Sequence, residues 1–451
     1  MVSSNARTRC LLTSDLPSDD REAVHALVRL LDESQGWQPG ALLTRQLEQL
    51  EALLAHAAAT VPFYRDRLAT LMPLKPGSLT LADFTDIPVL RRNDIQNHTA
   101  AMQSTALPPG HHPTGNIETS GSTARPITVT TTRLTGLFFS ALNLRYHAWF
   151  ERDFAGTLSV ILAQSTERLK KKDPGKAGRW SPFGASGPAH TLDVRTPVRQ
   201  QLDWLKDTDP QYLLTYPSNL DALLRQAAED GLRLLSLRQV STMGEMLNPA
   251  TRDHLQRVWG VPLSDCYSSQ ETGIIAIQCP HHGHYHLQAE NLFVEIIGDD
   301  DKPVPLGGSG RLIITDLHNL AMPLIRYEVG DLAERGPPCE CGRPLPVINR
   351  ILGRQRNMLR LPDGDRMWPS FPADLFTAVA AVRQFQLVQK TLNSIEVRLV
   401  VDGTFGPAQE MLLRRSLQER LGHPFDIDFT VVGEISRSKG GKFEDFISDV
   451  K

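Results

Sequence analysis

Hydroxyl-bearing side chains crowd one short stretch of the sequence, residues 119–126. The order is Thr-Ser-Gly-Ser-Thr-Ala-Arg-Pro, and the β-branched run 127–132 follows at once. Small residues let a backbone approach a ligand closely, and backbone N–H groups with hydroxyls can surround phosphate oxygens. No Gly-x-x-x-x-Gly-Lys-Ser/Thr sequence occurs, so the stretch is not a Walker P-loop. It predicts a phosphate-binding loop, with an ordinary polar turn as the alternative.

Three later motifs carry groups that suit the rest of a nucleotide. Tyr267 stands four residues before Glu271, so the ring can stack on a base while the carboxylate holds Mg²⁺ at phosphate oxygens. Asp331 follows a glycine, and an ionised carboxylate suits the two hydroxyls of a ribose. Lys442, in the basic loop 437–443, can neutralise charge on a transferring phosphate group. Taken singly, each also fits a structural role: a buried aromatic, a turn aspartate, a solvated tail.

Composition restricts the class of protein. The chain has 451 residues and a formal net charge of −3, which argues against nucleic-acid binding as the main activity. Residues 1–20 lack the apolar core of a secretory signal. No apolar run approaches the roughly 20 residues needed to span a bilayer. We therefore expect a cytoplasmic protein with no nucleic-acid and no membrane partner.

The spacing of apolar residues outlines the elements that must position these groups. Residues 42–68 show helical spacing that Pro62 interrupts. From about 130 to 290, helical stretches alternate with short β-rich runs, which is typical of parallel βαβ units. These runs are residues 158–162, 212–214 and 238–241.

The later part of the chain has a different pattern. Short strands such as 292–297 and 311–315 are divided by Gly/Pro turns, and residues 355–451 fit a small α+β module. The sequence therefore predicts an α/β protein with a large multi-subdomain N-terminal domain, residues 1–354, and a small C-terminal domain, residues 355–451.

The cysteines favour a metal over disulfide bonds. Five are spread unevenly, at positions 10, 266, 279, 339 and 341, which does not suggest a disulfide framework. The segment 279–286, Cys-Pro-His-His-Gly-His-Tyr-His, precedes Cys339-Glu-Cys341 by about fifty residues. Three thiolates and one imidazole would form a closed tetrahedral Zn²⁺ site, structural rather than catalytic. Free reduced cysteines are the alternative.

Taken in order, the motifs resemble those of the adenylate-forming superfamily, and most closely its phenylacetate–CoA ligase-like branch. The resemblance runs from about Leu43 to Phe446 and includes minor motifs at 61–65, 87–90, 216–218 and 321–327. It implies a large adenylate-forming N-terminal domain with a small mobile α+β C-terminal lid. The implied enzyme is an AMP-forming acid–thiol ligase: a carboxylic acid attacks ATP to give an acyl-adenylate, and coenzyme A then displaces AMP. ATP, Mg²⁺ and coenzyme A are the implied cofactors.

The resemblance also assigns roles to residues. Thr119, Ser120, Gly121, Ser122 and Thr123 would hold the β,γ-phosphates, with Glu271 on Mg²⁺ and Lys442 bridging the α-phosphate and the substrate carboxylate. The adenine would be surrounded by Met243, Gly244, Glu245, Asp265, Cys266 and Tyr267, and the ribose bound by Asp331 and Arg354. Zinc-bearing members of the branch imply Cys279, His286, Cys339 and Cys341 as ligands, with His281 as the second choice of histidine, in loops spanning about 279–341. A catalytic zinc hydrolase would leave the nucleotide motifs without a use.

Two departures from the family pattern matter. Ala124 stands where the phosphate loop has glycine, which reduces the freedom to adopt positive φ. Arg356 and Asn357 stand where the family commonly has an acidic hinge residue. Since the C-terminal domain is expected to rotate between the half-reactions, the altered hinge bears on that rotation and on the acceptor.

The substrate and the acceptor leave alternatives open. Aromatic acids are common in the branch, and Phe138, Phe139, Tyr146 and Tyr216 are candidate pocket residues, with core packing as the alternative. A first alternative activity transfers the acyl group to the phosphopantetheine of an acyl carrier protein. A second is a non-catalytic nucleotide- or acyl-binding protein. A homodimer is possible by analogy with the family.

Overall fold

The computed structural model describes residues 16–119, 126–164, 178–180, 186–354, 357–367, 369, 371, 374–438 and 441–450. Contacts between residues divide the chain into two compact units. Unit 1 comprises residues 1–153 and 266–351, and unit 2 comprises residues 154–265 and 352–451. Both units are therefore discontinuous in sequence. The predicted domain boundary at 354/355 stays a prediction.

Helices and strands alternate along much of the chain. The helices are α1 (Asp20–Ser34), α2 (Pro39–Thr60), α3 (Pro62–Arg67), α4 (Leu81–Thr85), α5 (Arg92–His98), α6 (Arg133–Trp149), α7 (Val198–Thr208), α8 (Pro217–Glu229), α9 (Pro249–Val258), α10 (Asp374–Thr377) and α11 (Pro407–Leu421). The strands are β1 (Thr114–Glu118), β2 (Thr128–Thr132), β3 (Leu158–Leu162), β4 (Gly178–Arg179), β5 (Pro188–Asp193), β6 (Tyr212–Thr215), β7 (Gln239–Met243), β8 (Leu263–Ser269), β9 (Gly273–Gln278), β10 (Tyr285–Leu287), β11 (Leu292–Ile297), β12 (Ser309–Asp316), β13 (Tyr327–Arg335), β14 (Val347–Arg354), β15 (Leu359–Arg360), β16 (Arg366–Met367), β17 (Val382–Gln389), β18 (Ser394–Val401), β19 (Asp426–Val431) and β20 (Phe446–Ser448). Among the described residues, no helix is long and apolar enough to cross a membrane.

Helix α2 supplies much of the core of unit 1. Its leucines at helical spacing, from Leu50 to Leu54, are buried together with Ala57. The predicted interruption is confirmed: α2 ends at Thr60, and Pro62 opens α3, where its missing N–H removes no helical hydrogen bond. The Tyr64 hydroxyl then donates to the carbonyl of Pro323 at 2.8 Å, which connects this helix to the segment before β13.

The strands of unit 1 bring distant motifs together. β12 pairs antiparallel with both β11 and β13, and β9 pairs antiparallel with β8 and β10. β10 also pairs with β14. The turn between β8 and β9 carries Glu271, β8 carries Tyr267 and β13 carries Asp331. Loops and strand ends on a rigid sheet are common positions for functional side chains.

A buried ion pair fixes the start of β13. Arg326 and Glu295 have side chains only 3% and 6% exposed, and their Nη2 and Oε1 atoms lie 2.9 Å apart, with a second bond of 3.0 Å from Nε to Oε2. Arg326 Nη1 also donates to the carbonyls of Thr85 and Ile87. The guanidinium therefore joins β13, β11 and the segment after α4.

We expect Arg326→Met to lower the free energy of unfolding by about 3–5 kcal/mol, because it leaves the Glu295 carboxylate buried without its partner. Urea unfolding followed by circular dichroism measures this. Arg350→Met is the control: Arg350 pairs with Glu334 but is largely exposed, so its loss should cost less than about 1 kcal/mol. Equal effects of the two changes would contradict a structural role for the buried pair.

Unit 2 contains the predicted parallel strands. β3 pairs parallel with β5 and β6, and β6 pairs parallel with β7, in the order β5-β3-β6-β7. Helices α7 and α8 lie between successive strands of the chain and bury leucines such as Leu205 and Leu220. Ligands of open parallel sheets bind beyond the carboxyl ends of the strands. The residues that follow β7, namely Gly244 and Glu245, lie at such an end.

The C-terminal part of unit 2 has its own small sheet and core. β17 pairs antiparallel with β18, while β19 and β20 add parallel to the two sides, in the order β19-β18-β17-β20. Helix α11 buries Leu413, Leu417 and Leu421 in the same cluster as Phe446 of β20. The predicted α+β module, with its strand at 396–401 and helix at 408–421, is confirmed. Its last strand follows directly after the Lys442 loop.

Candidate active site

The hydroxyl-rich stretch begins at the end of β1. The Thr119 hydroxyl accepts hydrogen bonds from the backbone N–H of Ile127, at 3.2 Å, and from Arg92 Nη2, at 2.9 Å. Thr119 is buried. Ser120, Gly121, Ser122, Thr123 and Ala124 lie outside the described residues, so their predicted contacts with phosphates stay predictions.

Arg92 contacts both Thr119 and Glu271 and so connects them. The carboxylate Oε1 is 3.6 Å from Arg92 Nη1 and accepts a hydrogen bond from the Tyr327 hydroxyl at 3.5 Å. Burial raises the pKa of the Tyr327 hydroxyl, so it stays protonated and donates. Arg92, the first residue of α5, therefore joins the predicted Mg²⁺ ligand to the start of the predicted phosphate loop. No sequence motif identifies Arg92, although it follows the 87–90 motif after Arg91.

Tyr267 and Asp331, predicted to lie at the adenine and the ribose, are both in unit 1, whereas Arg354 belongs to unit 2. The Tyr267 hydroxyl donates to Asp331 Oδ2 at 2.6 Å. Gly330, just before Asp331, has φ +87°, a backbone conformation that residues other than glycine rarely adopt. Arg354 is the last residue of β14. An aromatic ring and a carboxylate held together in this way suit a base and its ribose hydroxyls.

In unit 2, several predicted site residues lie at or just after the end of β7. Met243 is the last residue of β7, and Gly244 has φ +82°. A Cβ on Gly244 would lie 3.2 Å from Tyr216 Cε1 and 3.4 Å from Lys442 Cε. The predicted catalytic lysine and Tyr216 therefore border the same glycine.

Asp265 and Cys266 lie on β8 and are both buried. The Thr242 hydroxyl donates to Asp265 Oδ1 at 2.6 Å, which connects the carboxylate to the neighbouring end of β7. Buried in this way, Asp265 shapes the strand end. Its predicted place at the adenine stays a prediction, as does that of Cys266.

The four predicted pocket aromatics differ in their surroundings. Phe138 is buried and stacks on His318 with ring centroids 4.0 Å apart, and Tyr146 is buried under Arg152, 4.3 Å from its ring. Both make packing contacts that a substrate would have to replace. Phe139 is 46% exposed, and its Cδ2 lies 3.4 Å from the Cβ position of Gly273, two residues after Glu271. Contact of any of the four aromatics with a substrate stays a prediction.

The predicted metal ligands cluster at the β9–β10 hairpin. Ligand atoms of Cys279, His284, His286 and Cys339 all lie within 4.8 Å of one another. Cys279 Sγ is 3.8 Å from Cys339 Sγ, and Cys341 Sγ is 3.3 Å from His286 Nε2. Two thiolates on one tetrahedral Zn²⁺, each at about 2.3 Å, lie roughly 3.8 Å apart. The described cysteines form no disulfide bond with one another.

His284 is a candidate ligand that the sequence analysis did not select. Its Nε2 atom is buried and has no hydrogen-bond partner among the described residues. His281, the second choice from sequence, is exposed and does not belong to the cluster of ligand atoms. The hairpin brings His284, and not His281, next to Cys279, because the carbonyl of His284 accepts a hydrogen bond from the Cys279 N–H at 2.8 Å.

A second layer of side chains orients this cluster. The Trp149 ring meets His286 edge-on at 5.7 Å, and Arg343 stacks over Trp149 at 4.6 Å while its Nη1 approaches Cys341 Sγ at 3.8 Å. Gln35 Oε1 accepts from both Trp149 and Arg343. Such outer partners fix ligand orientation at metal sites, and an N–H donor near a sulfur favours the thiolate.

Comparison with known proteins decides the family. A family model described as "AMP-binding enzyme" matches residues 42–321, more than half of the chain. The chain belongs to the AMP-binding enzyme family. A second model, the "CapK C-terminal domain", matches residues 359–449 of this family member. The predicted membership of the adenylate-forming superfamily is confirmed.

Relatives of this AMP-binding enzyme place it in the expected branch. It is 25% identical over 434 residues to a phenylacetate-coenzyme A ligase of Thermus thermophilus, covering 88% of this chain and 94% of the relative. It is 23% identical over 446 residues to a phenylacetate-coenzyme A ligase of Pseudomonas putida, covering 91% and 95%. The phenylacetate–CoA ligase-like branch is therefore confirmed.

A solved structure supports the fold of this AMP-binding enzyme. A 2-hydroxyisobutyryl-CoA ligase, crystallised in the postadenylation state with its acyl-AMP, matches with a TM-score of 0.71 at 19% identity. The match covers 90% of this chain and 89% of that one. The expected mixed α/β fold with a separate C-terminal domain is confirmed.

Proposed function

We propose that the protein is an AMP-forming acid–CoA ligase. A substrate carboxylate oxygen attacks the α-phosphorus of ATP, the bond to the bridging oxygen breaks, and pyrophosphate leaves. The thiol of coenzyme A then loses its proton and attacks the acyl carbon, and AMP leaves as the thioester forms. The observation that carries this proposal is the Thr119–Arg92–Glu271 cluster, which places a cation between the start of the hydroxyl-rich loop and a nearly buried carboxylate.

The charges of this cluster suit a bound Mg·ATP. Carboxylate oxygens are preferred ligands of Mg²⁺, and a guanidinium matches phosphate oxygens. We assign Glu271 to Mg²⁺ and Arg92 to the phosphates. In the present structure Arg92 and Glu271 form an ion pair with each other. On binding of Mg·ATP, Glu271 would bind Mg²⁺ and Arg92 would bind the phosphates in place of this contact. Phosphoryl transfer needs mainly positioning and charge neutralisation, which these groups supply.

We expect Glu271→Gln to raise the KM for Mg·ATP and to lower adenylation by about 10²-fold, because the neutral amide is a weaker Mg²⁺ ligand than a carboxylate. Increasing the Mg²⁺ concentration should restore part of the rate. Glu118→Gln, an exposed carboxylate at the end of β1, is the matched control and should behave as wild type. Loss of rate in Glu271→Gln without any dependence on Mg²⁺ would contradict the assignment.

For the adenosine end, we assign Tyr267 to the adenine and Asp331 to the ribose. The support is their direct hydrogen bond, which positions a ring edge and a carboxylate together. Arg354, Met243, Gly244, Asp265 and Cys266 keep their predicted places. Lys442 would neutralise the charge that develops between the α-phosphate and the substrate carboxylate.

The cysteine and histidine cluster is proposed to hold one structural Zn²⁺. Cys279, Cys339 and His286 are common to the predicted set and to the observed cluster, and Cys341 and His284 compete for the fourth position. The donor set fits zinc, because thiolate and imidazole are its usual ligands and His284 Nε2 offers an unpaired buried nitrogen. Bound there, the metal would fix the β9–β10 hairpin to the loop at 339–341.

An aromatic carboxylic acid is the proposed substrate, and Phe139 and Tyr216 are the proposed contacts. The names of the phenylacetate-coenzyme A ligases support this class, whereas the hydroxyisobutyryl-CoA ligase of similar fold argues for including small aliphatic acids in any test. A cytoplasmic location and a homodimer remain predictions.

The deciding experiment measures acid-dependent pyrophosphate release with ATP and Mg²⁺ across aromatic and aliphatic acids, with and without coenzyme A. Mass spectrometry follows the thioester. An acyl-CoA product supports the proposal and identifies the acid. Adenylation without formation of a CoA thioester would indicate a carrier protein as the acyl acceptor. Absence of pyrophosphate release with every acid tested would favour a non-catalytic binding protein.

A further inference from the structure

One buried carboxylate in unit 2 connects the Lys442 loop to the strand end at β7. Glu245 follows Gly244, and its side chain is only 6% exposed. It accepts a hydrogen bond from the N–H of Ser218 at 3.0 Å and another from the N–H of Phe443 at 2.6 Å. Ser218 lies in the first turn of α8, where free N–H groups favour an anion. Phe443 is the residue directly after Lys442.

Arg437 makes a second connection between the same elements. Its Nη1 is 3.5 Å from Glu245 Oε1 and donates to the Ser218 hydroxyl at 2.8 Å and to the carbonyl of Gly441 at 3.2 Å. Burial raises the pKa of the Glu245 carboxyl, and the Arg437 guanidinium counteracts this shift. Glu245 and Arg437 therefore bind the loop on both sides of Lys442, at Gly441 and at Phe443.

The described residues of the loop also fit closely against strand ends of the same unit. The N–H of Ser438 donates to the carbonyl of Lys442, and that of Gly441 donates to the carbonyl of Ser438. Gly441 has φ +75°, and a Cβ there would lie 2.5 Å from the Cβ of Ala163, just after β3. Only glycine allows this approach. The loop is thus seated on the ends of β3 and β7, with Lys442 Cε beside Gly244.

We propose that Glu245 is a positioning residue that holds Lys442 in the arrangement used for adenylation, rather than a contact of the adenine ring. This inference rests on the proposed function of Lys442. A lysine that must meet a developing charge acts only when it is placed correctly, so a group that fixes its loop controls the rate without touching the substrate. Since the proposed role of Lys442 is confined to forming the acyl-adenylate, we expect the attack of coenzyme A on a finished acyl-adenylate to need neither Lys442 nor Glu245.

The kinetic test separates the two half-reactions. We expect Glu245→Gln and Arg437→Met each to lower the kcat of acid-dependent pyrophosphate release about tenfold or more, with the KM for ATP changed less than about twofold; tenfold corresponds to about 1.4 kcal/mol. Conversion of a chemically prepared acyl-adenylate to thioester should stay within about twofold of wild type. A raised KM for ATP with unchanged kcat would instead assign Glu245 to the adenine and overturn the proposal.

A second measurement does not depend on activity. Arg437 and Lys442 are trypsin sites within the described residues of the loop, and docking should shield them. We expect Glu245→Gln to accelerate cleavage at Lys442 at least fivefold, as read by mass spectrometry of the intact protein, because cleavage follows the population of the released loop. Glu434→Gln, an exposed carboxylate just before the loop, is the control and should be cleaved as wild type.

The two measurements together distinguish the possible failures. If wild type releases no pyrophosphate with any acid, the proposed function fails, and accelerated cleavage in Glu245→Gln would still support its hold on the loop. If wild type adenylates and Glu245→Gln matches it in kcat and in cleavage, the positioning role is wrong.

Discussion

Replacing Lys442 with alanine is expected to lower acid-dependent pyrophosphate release by about 10²–10³-fold, the usual effect of losing one group that stabilises transition-state charge. The ammonium is the cation that the family resemblance assigns to the α-phosphate, and the Cε atom of Lys442 lies beside Gly244, whose φ of +82° favours glycine. Conversion of a prepared acyl-adenylate to thioester should change little. Rapid-quench measurement of both half-reactions checks this.

Lys390→Ala is the matched control for Lys442→Ala. Lys390 belongs to the same C-terminal module but pairs with Asp449 on the surface, at 3.1 Å, and such pairs contribute about 0–1 kcal/mol. Its loss should leave both half-reactions unchanged. Normal adenylation by Lys442→Ala would show that another group neutralises the charge, and the neighbouring Lys439 would then be the next residue to replace. A non-catalytic binding protein would be insensitive to both changes.

Zinc removal should have a large effect on stability. We expect about one Zn²⁺ per chain by elemental analysis, and we expect a strong chelator to lower Tm. A ligand present at a thousandfold its Kd stabilises by about 4 kcal/mol, which for a unit of this size corresponds to a fall in Tm on the order of 10 °C. Cys339→Ser should reproduce both the loss of metal and the fall in Tm.

Two further substitutions identify the fourth ligand. If Cys341 completes the site, Cys341→Ser should lose the metal while His284→Ala keeps it; the reverse pattern would assign His284. Cys266→Ser is the control, because Cys266 is a buried cysteine outside the cluster, and it should retain one Zn²⁺ per chain. If gently purified protein contains no zinc and its Tm is the same before and after chelation, the proposed metal site is wrong.

Local patterns in the sequence predicted the elements well. The proline at 62 divides α2 from α3 as expected, because a proline ring fits only the first turn of a helix. The strand at 292–297 begins and ends at the predicted residues, since its apolar run is bounded by polar turns. Periodicity over a few residues carries this information, and no distant contact is needed to obtain it.

Contacts between distant segments could not be predicted in the same way. Nothing near Arg92 in the sequence indicates that it contacts both Thr119 and Glu271, since their approach depends on how the strands of unit 1 pair. Likewise, four histidines within six residues offer no choice by spacing alone, and the β9–β10 hairpin brings His284, rather than His281, to the other candidate ligand atoms. The motif around Glu245 predicts a place at the adenine, whereas the hydrogen bonds from Ser218 and Phe443 to its carboxylate depend on the folded chain.

The discontinuity of unit 1 has a consequence for how the protein is made. One hydrophobic cluster of this unit combines residues between 50 and 129 with residues between 293 and 327, and the whole first segment of unit 2, residues 154–265, is encoded between them. At ribosomal rates of about 5–20 residues per second, the early half of this cluster waits on the order of ten seconds for its partner. During that time its apolar side chains are exposed on the nascent chain. Folding of unit 1 during synthesis is therefore expected to depend on protection of residues 50–129 by chaperones.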